Sequence, residues 1–109
     1  MLRAGDVIVA DFPGITGVKR RPAIVVSTDL YHTHRPDVII SLLTTQIASA
    51  TAPTDYVLQD WAAAGLHRPS AARCFLATLP GADVVVKGHL SDRDWQEVQA
   101  RLRLALAVT

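Results

Sequence analysis

Short apolar runs separated by turn residues fill most of the chain, and one helical stripe closes it. Asp6 to Phe12 reads as a first strand, Pro22 to Ser27 as a second, and Val38 to Leu43 as a third that runs on into Thr44, Thr45 and Gln46. The Pro13-Gly14 pair with Gly17 marks a loop between the first two. The polar stretch Thr28 to Asp37, with Pro36 near its end, separates the second from the third. Ala48 to Pro53 is small and irregular, and Thr54 to Leu58 is a candidate fourth strand. Gln59 to Ala64 is alanine-rich enough for a helical turn stopped by Gly65. Ala72 to Thr78 and Asp83 to His89 supply the last two strands.

The long helix is C-terminal. Ser91 is a good N-cap, Asp94 stands three residues on as an acidic capping partner, and Leu90 with Trp95 is placed for a hydrophobic staple. Trp95, Val98, Leu102 and Ala105 recur at helical spacing, so one stripe faces a core while Arg93, Gln96, Glu97 and Arg101 stay in water. Short strands with Gly and Pro turns and one amphipathic helix at the end predict a mainly β protein, a small and strongly bent barrel.

At 109 residues and 50% hydrophobic, the chain suffices for one core, so residues 1–109 are read as a single domain. No apolar run approaches the roughly 20 residues of a spanning helix, and Met1 to Asp6 lacks a signal-peptide pattern, so a cytoplasmic protein without membrane contact is expected. With 11 basic against 10 acidic residues the chain does not coat nucleic acid, and any such contact is local. Cys74 has no disulfide partner and, beside Phe75 and Leu76, reads as a buried structural thiol. No Cys/His cluster has metal-ligand spacing, and neither a metal nor another cofactor is expected.

Candidate chemistry begins at Lys19-Arg20-Arg21-Pro22. A residue before proline favours an extended backbone, which fixes Arg21 at the mouth of a strand. Its planar, permanently charged fork suits a phosphate and the charge that builds during phosphoryl transfer, and makes a poor general base. On its own the triplet also fits a solvated loop. Thr44 and Thr45 end the third strand, where alternation lets only one of the two hydroxyls face a given groove. Threonine is also common in strands for its shape alone. A hydroxyl and an arginine around one phosphate would assist attack by a ribose 2′-hydroxyl on the adjacent phosphorus, a cleavage that needs no metal and exists only for RNA. His32 and His34 flank Thr33 in the polar stretch and read as surface or RNA-rim groups, with an acid/base pair as the other possibility. His67 beside Arg68 adds a rim charge, His89 packs or bonds locally, and Asp83, Asp92 and Asp94 are turn and helix-start acids.

Taken in order, Gly5-Asp6-Val7-Ile8, Asp11-Phe12-Pro13, Lys19 through Ser27 and Leu43-Thr44-Thr45-Gln46 resemble the MazF/PemK toxin family. Gly65-Leu66, Pro69-Ser70 and Gly88-His89-Leu90-Ser91 extend the resemblance over nearly the whole chain. The resemblance implies an SH3-like barrel with a C-terminal helix, a homodimer, and a sequence-specific, metal-independent endoribonuclease acting on single-stranded RNA as the toxin of a toxin-antitoxin pair. It places the family's catalytic arginine on Arg21, handling proton transfer and the phosphate, and its catalytic threonine on Thr44. Lys19 and Arg20 then line the RNA entrance, and Thr45, Gln46, His32 and His34 join the RNA-contacting set. A cognate antitoxin would block the groove with an acidic segment that matches Lys19, Arg20 and Arg21.

Between Asp11 and Arg21 the connection is shorter than in many relatives, so the cleavage sequence does not carry over. Rings for base stacking are few, with Phe12, Tyr31, Tyr56 and Trp61 the candidates outside Phe75 and the final helix. Two other classes fit the same residues less fully: a non-catalytic barrel that binds RNA or a protein, and a gyrase-directed toxin of the CcdB type.

Overall fold

The computed structural model describes residues 1–14 and 17–108. Its strands are β1 (Asp6–Gly14), β2 (Gly17–Val25), β3 (Asp37–Thr44), β4 (Tyr56–Val57), β5 (Ala71–Pro80) and β6 (Val85–His89). A short helix, α1 (Asp29–His34), joins β2 to β3, and the long helix α2 (Asp92–Ala105) closes the chain. All pairings are antiparallel, in one six-stranded sheet of order β4-β5-β3-β2-β1-β6. Register shifts at Val7/Ile8 and at Ser41/Leu43 bend the sheet, as bulges do, and it curls into a half-barrel. The mainly β architecture with a C-terminal helix is the one the sequence predicts. No helix among the described residues is long and apolar enough to cross a membrane.

Alternation distributes the core over both faces. Val7, Ile24, Leu43, Tyr56, Leu58 and Leu90 form one cluster with Val98 of α2, and Trp95 and Leu102 pack against it. Ile8, Ala10, Phe12, Ala23, Val25, Val38 and Ile40 form the other, closed by Leu2, Leu79 and Val84. Because β1, β2 and β3 bury residues on both faces, their sequences read as continuous apolar runs.

The C-terminal helix starts where expected, with Ser91 Oγ accepting the Asp94 N–H at 3.3 Å. Leu90 and Trp95 meet in the same cluster, as a staple requires. Asp94 does more than cap: fully buried, it accepts the Tyr56 hydroxyl at 2.6 Å and the backbone N–H groups of Gln59 and Asp60 at 3.1 and 2.8 Å. Asp60 in turn accepts from Ser91 at 2.6 Å and from two nitrogens of Arg93. These reciprocal bonds fasten the 56–60 segment to the start of α2. Ala105 is exposed rather than part of the buried stripe, and Arg101 leaves the solvent to lie over the Tyr56 ring at 5.1 Å while pairing with Glu97.

Three other boundaries differ from the sequence reading. Lys19, Arg20 and Arg21 lie inside β2, not in a loop, because β1 and β2 pair as far as Gly14↔Gly17 and backbone bonds carry the strand past its last apolar residue. Ile15 and Thr16 of the predicted loop lie outside the described residues. The polar stretch after Ser27 contains α1, capped by Thr28 and too short and exposed to leave a helical period. The last predicted strand, Asp83 to His89, loses its start, because Gly81–Asp83 forms a 3₁₀ turn pinned by the Gly81 N–H to Pro36 O at 2.8 Å and β6 begins at Val85.

Candidate active site

Neighbouring strands bring the two sequence triplets together. The β2–β3 ladder ends at the pair Ala23↔Leu42, and Arg21 and Thr44, each two residues beyond it, line one hollow. On its other side Arg21 pairs with Ala10 of β1, so its backbone is held in mid-sheet rather than at a loose end. A hollow of about 310 Å³ opens here, lined by Lys19, Arg20, Arg21, Thr44, Thr45 and Gln46 among others. A second, of about 220 Å³, adjoins it and shares Arg21, Thr44 and Gln46, adding Arg73 and Phe75 from β5. Both threonines reach the larger hollow because β3 ends at Thr44 and the chain turns there. Only Thr44 continues into the second, but the larger hollow holds both residues, so alternation does not keep the two apart as the sequence reading expected.

Among the described residues no carboxylate lines either hollow, whereas Lys19, Arg20, Arg21 and Arg73 do. Asp11 stands 3.5 Å from Arg20 across the hairpin, and both side chains are more than half exposed, so the pair adds little and is open to exchange. Arg73 lies 4.0 Å from Asp55, too far for a hydrogen bond, and its buried Nε has no acceptor. Its guanidinium sits 4.9 Å from the centre of the Phe75 ring. Thr44 Oγ1 accepts the Gln46 N–H at 3.1 Å, which fixes the side chain and leaves the hydroxyl hydrogen to donate into the hollow. Together these groups form a cationic trough with an oriented hydroxyl, suited to a phosphodiester.

His32 and His34 are not brought to this trough. They lie on α1, which connects the end of β2 to the start of β3, whereas the trough lies by the start of β2 and the end of β3. His32 Nε2 is 2.6 Å from Ser27 Oγ, which also accepts the Ile39 N–H, so the ring ties α1 to the sheet. His34 is exposed on the last turn of α1. His89 Nδ1 meets Asp6 Oδ1 at 2.8 Å and joins β6 to β1.

Two site residues escape the sequence reading, Arg73 and Phe75. Phe75 is 54% exposed, while Phe12 and Tyr56 are buried in the core and Trp61 packs against it. Cys74 between them has φ +56° and is only half-buried, its thiol donating to Thr54 O at 3.4 Å and pushed up in pKa by burial. That left-handed residue and the nearby register shift break the alternation of β5, which is why the Cys-Phe-Leu run looks like core and is not. A charged residue inside an apolar strand was the available signal for Arg73.

Residues 3–106 match the family model of PemK-like, MazF-like toxins of type II toxin-antitoxin systems. Among solved structures, the chain is similar to an endoribonuclease in complex with its cognate antitoxin from a mycobacterial species, at 20% identity and TM-score 0.81, covering 100% of this chain and 98% of that one. It is also similar to the Mycobacterium tuberculosis toxin MazF-mt6, at 20% identity and TM-score 0.76 over 95% and 98% of the two chains. A MazE-MazF structure from Deinococcus radiodurans follows at 18% identity and TM-score 0.78, over 99% and 98%. At such identities the likeness shows a shared fold. No curated protein matches the sequence significantly. On the family match over residues 3–106, with the same fold shared end to end, the chain belongs to the PemK-like, MazF-like toxins of type II toxin-antitoxin systems.

Proposed function

We propose that this protein is a sequence-specific endoribonuclease that cuts single-stranded RNA without a metal ion, as a cytoplasmic homodimer and a single-domain toxin held in check by a cognate antitoxin. One observation carries the reading: Arg21 and Thr44, from neighbouring strands, line the same carboxylate-free cationic trough. The relative in complex with its antitoxin is itself an endoribonuclease, which supports it.

In this mechanism the ribose 2′-oxygen attacks the adjacent phosphorus and the bond to the 5′-oxygen breaks. The 2′-hydroxyl loses its proton, the departing 5′-oxygen gains one, and the fragments end in a 2′,3′-cyclic phosphate and a 5′-hydroxyl. Arg21 meets the negative charge that grows on the phosphoryl oxygens, and its fixed charge rules out service as a base at neutral pH. Thr44 donates a hydrogen bond to one of those oxygens. Lys19 and Arg20 hold the flanking backbone, Thr45 and Gln46 contact the neighbouring nucleotide, and Arg73 adds charge from the far wall. For His32 and His34 an RNA contact would lie outside the trough, along the strand's wider path.

The test is cleavage of a long single-stranded RNA in excess chelator, with fragment ends mapped. Wild type is expected to make discrete cuts ending in cyclic phosphate. Arg21→Ala lowers the rate by roughly 10²–10³-fold, the loss typical of one transition-state donor. Thr44→Val falls as well, while Thr44→Ser keeps much of the rate. Equal cutting by Arg21→Ala and wild type would remove Arg21 from the centre. RNA left intact by wild type would favour a binding module, or a gyrase-directed toxin if DNA supercoiling were inhibited instead.

A further inference from the structure

Arg73 reaches the trough on a distortion of β5. Ser41 pairs with Leu76 and Leu43 with Ala72, so Leu42 alone faces Arg73, Cys74 and Phe75. The strand bulges there, and Cys74 at the centre takes φ +56°, a left-handed backbone that residues other than glycine rarely adopt. Bulges beside active sites re-aim side chains, and here Arg73 and Phe75 both line the hollow that Arg21 and Thr44 line.

A turn holds this bulge from behind. Asp55 closes the turn twice, since its N–H donates to Ala52 O at 2.9 Å and its Oδ2 accepts the Ala52 N–H at 3.0 Å. Thr54 O accepts the Cys74 thiol at 3.4 Å, and burial first, then the Asp55 charge, push that thiol up in pKa, so it stays a donor. On the side of α2, Asp55 O accepts Arg101 Nε at 3.4 Å. Because Tyr56 pairs with Ala72, the residue before the one and the residue after the other come close, and Asp55 Oδ1 lies 4.0 Å from Arg73 Nε. The Asp55 side chain is only 6% exposed, so solvent screens its charge weakly. Arg73 Nε is buried as well and has no acceptor among the described residues. The guanidinium is thus set between a buried carboxylate and the Phe75 ring, 4.9 Å from the ring centre.

We infer, resting on the ribonuclease reading above, that Asp55 is a positioning residue of the trough: its buried carboxylate and the Phe75 ring hold the Arg73 guanidinium in place before RNA arrives. An arginine side chain has many rotamers, and ordering it during the reaction costs rate, whereas a charge set in advance does not. A hydrogen-bonded ion pair would occupy the guanidinium fork. At 4.0 Å, beyond hydrogen-bond reach, Asp55 orients Arg73 by charge and leaves its donors to the phosphodiester. Asp55 lines neither hollow, so it orders the trough without placing a carboxylate in its wall. Through Arg101 the same turn fastens the trough wall to α2.

The experiment compares wild type, Asp55→Asn, Arg73→Ala and the double variant on a short RNA carrying the mapped cleavage sequence. Asparagine still accepts the Ala52 N–H and loses only the charge, so the urea midpoint stays that of wild type. Asp55→Asn is expected to lower kcat roughly 10-fold without raising KM, because the trough keeps every cation while one of them is misplaced. In the Arg73→Ala background the same change costs nothing further, as for two residues that act through one contact. With isotope-labelled arginine, the Arg73 Nε–H resonance is expected to exchange with solvent faster in Asp55→Asn than in wild type. An unchanged kcat, an unchanged exchange rate, or an equal loss in both backgrounds overturns the positioning role and leaves the ribonuclease reading intact. A raised KM with a lowered urea midpoint assigns Asp55 to the fold alone and overturns it too. Failure of wild type to cut any RNA overturns both.

Discussion

Asp60 and Tyr56 flank the same buried carboxylate network from opposite ends of the pH scale. Arg93 first, and then Ser91, hold the Asp60 carboxyl down at about 2, below the ordinary 3.8. A depressed carboxyl stabilises the fold fully above pH 3.8, and that contribution is lost as the pH falls through about 2. Burial first, and the bond to Asp94 second, push the Tyr56 hydroxyl up from 10.0 to about 12. Its neutral form belongs to the folded state, so its contribution is complete below pH 10 and fades as the pH rises towards 12. Thermal melts across pH are expected to fall on both limbs, with Arg93→Ala blunting the acid limb and Tyr56→Phe the alkaline one. Unchanged limbs in both variants would detach these residues from the pH response. At this scale the sequence shows residue types but not partners: Asp94 is legible as a helix-start acid, whereas its hold on Tyr56, 38 positions away, is set by the fold.

Among elements, the turn after Ala64 sits directly on β6, where a Cβ on Gly88 would lie 2.2 Å from the Ala64 carbonyl oxygen. Gly88→Ala is expected to lift that segment off β6, lowering stability by about 1–3 kcal/mol as overpacked contacts do. Urea denaturation would show a lower midpoint with a similar slope. A midpoint within error of wild type would mean that the segment relaxes freely. The start of α2 was legible because capping is chemistry local to Ser91 and Asp94. The first half of β2 was not, because Gly17 to Arg21 is exposed on both faces and its strand character comes from pairing with β1.

For the molecule as a whole, the charge near zero means that the proposed RNA attraction has to come from one trough rather than from the general surface. If Lys19, Arg20 and Arg21 each neutralise a phosphate, affinity for a single strand carrying a 2′-deoxy residue at the cut falls with salt at a log–log slope of roughly −2. Fluorescence anisotropy from low to moderate salt measures it, and a slope near zero would remove the trough from RNA binding. The edge strand β6 leaves Val85 and Val86 about half exposed, and Phe75 and Leu76 do the same on β5. This apolar surface supports the homodimer proposed above, for which sedimentation should give twice the chain mass.

By itself the sequence determined the mainly β class, the long helix and its cap, and the identity of Arg21 and Thr44 as candidates, because apolar period, turn residues and capping are properties of neighbours along the chain. The tertiary structure alone decided that β2 and β3 bring those two residues to one hollow, that His32 binds Ser27 away from the trough, and that Arg73 and Phe75 join it from β5. Strand pairing and register link residues far apart in sequence, and a single left-handed residue such as Cys74 redirects the side chains around it. Neither effect leaves a periodic mark on the chain.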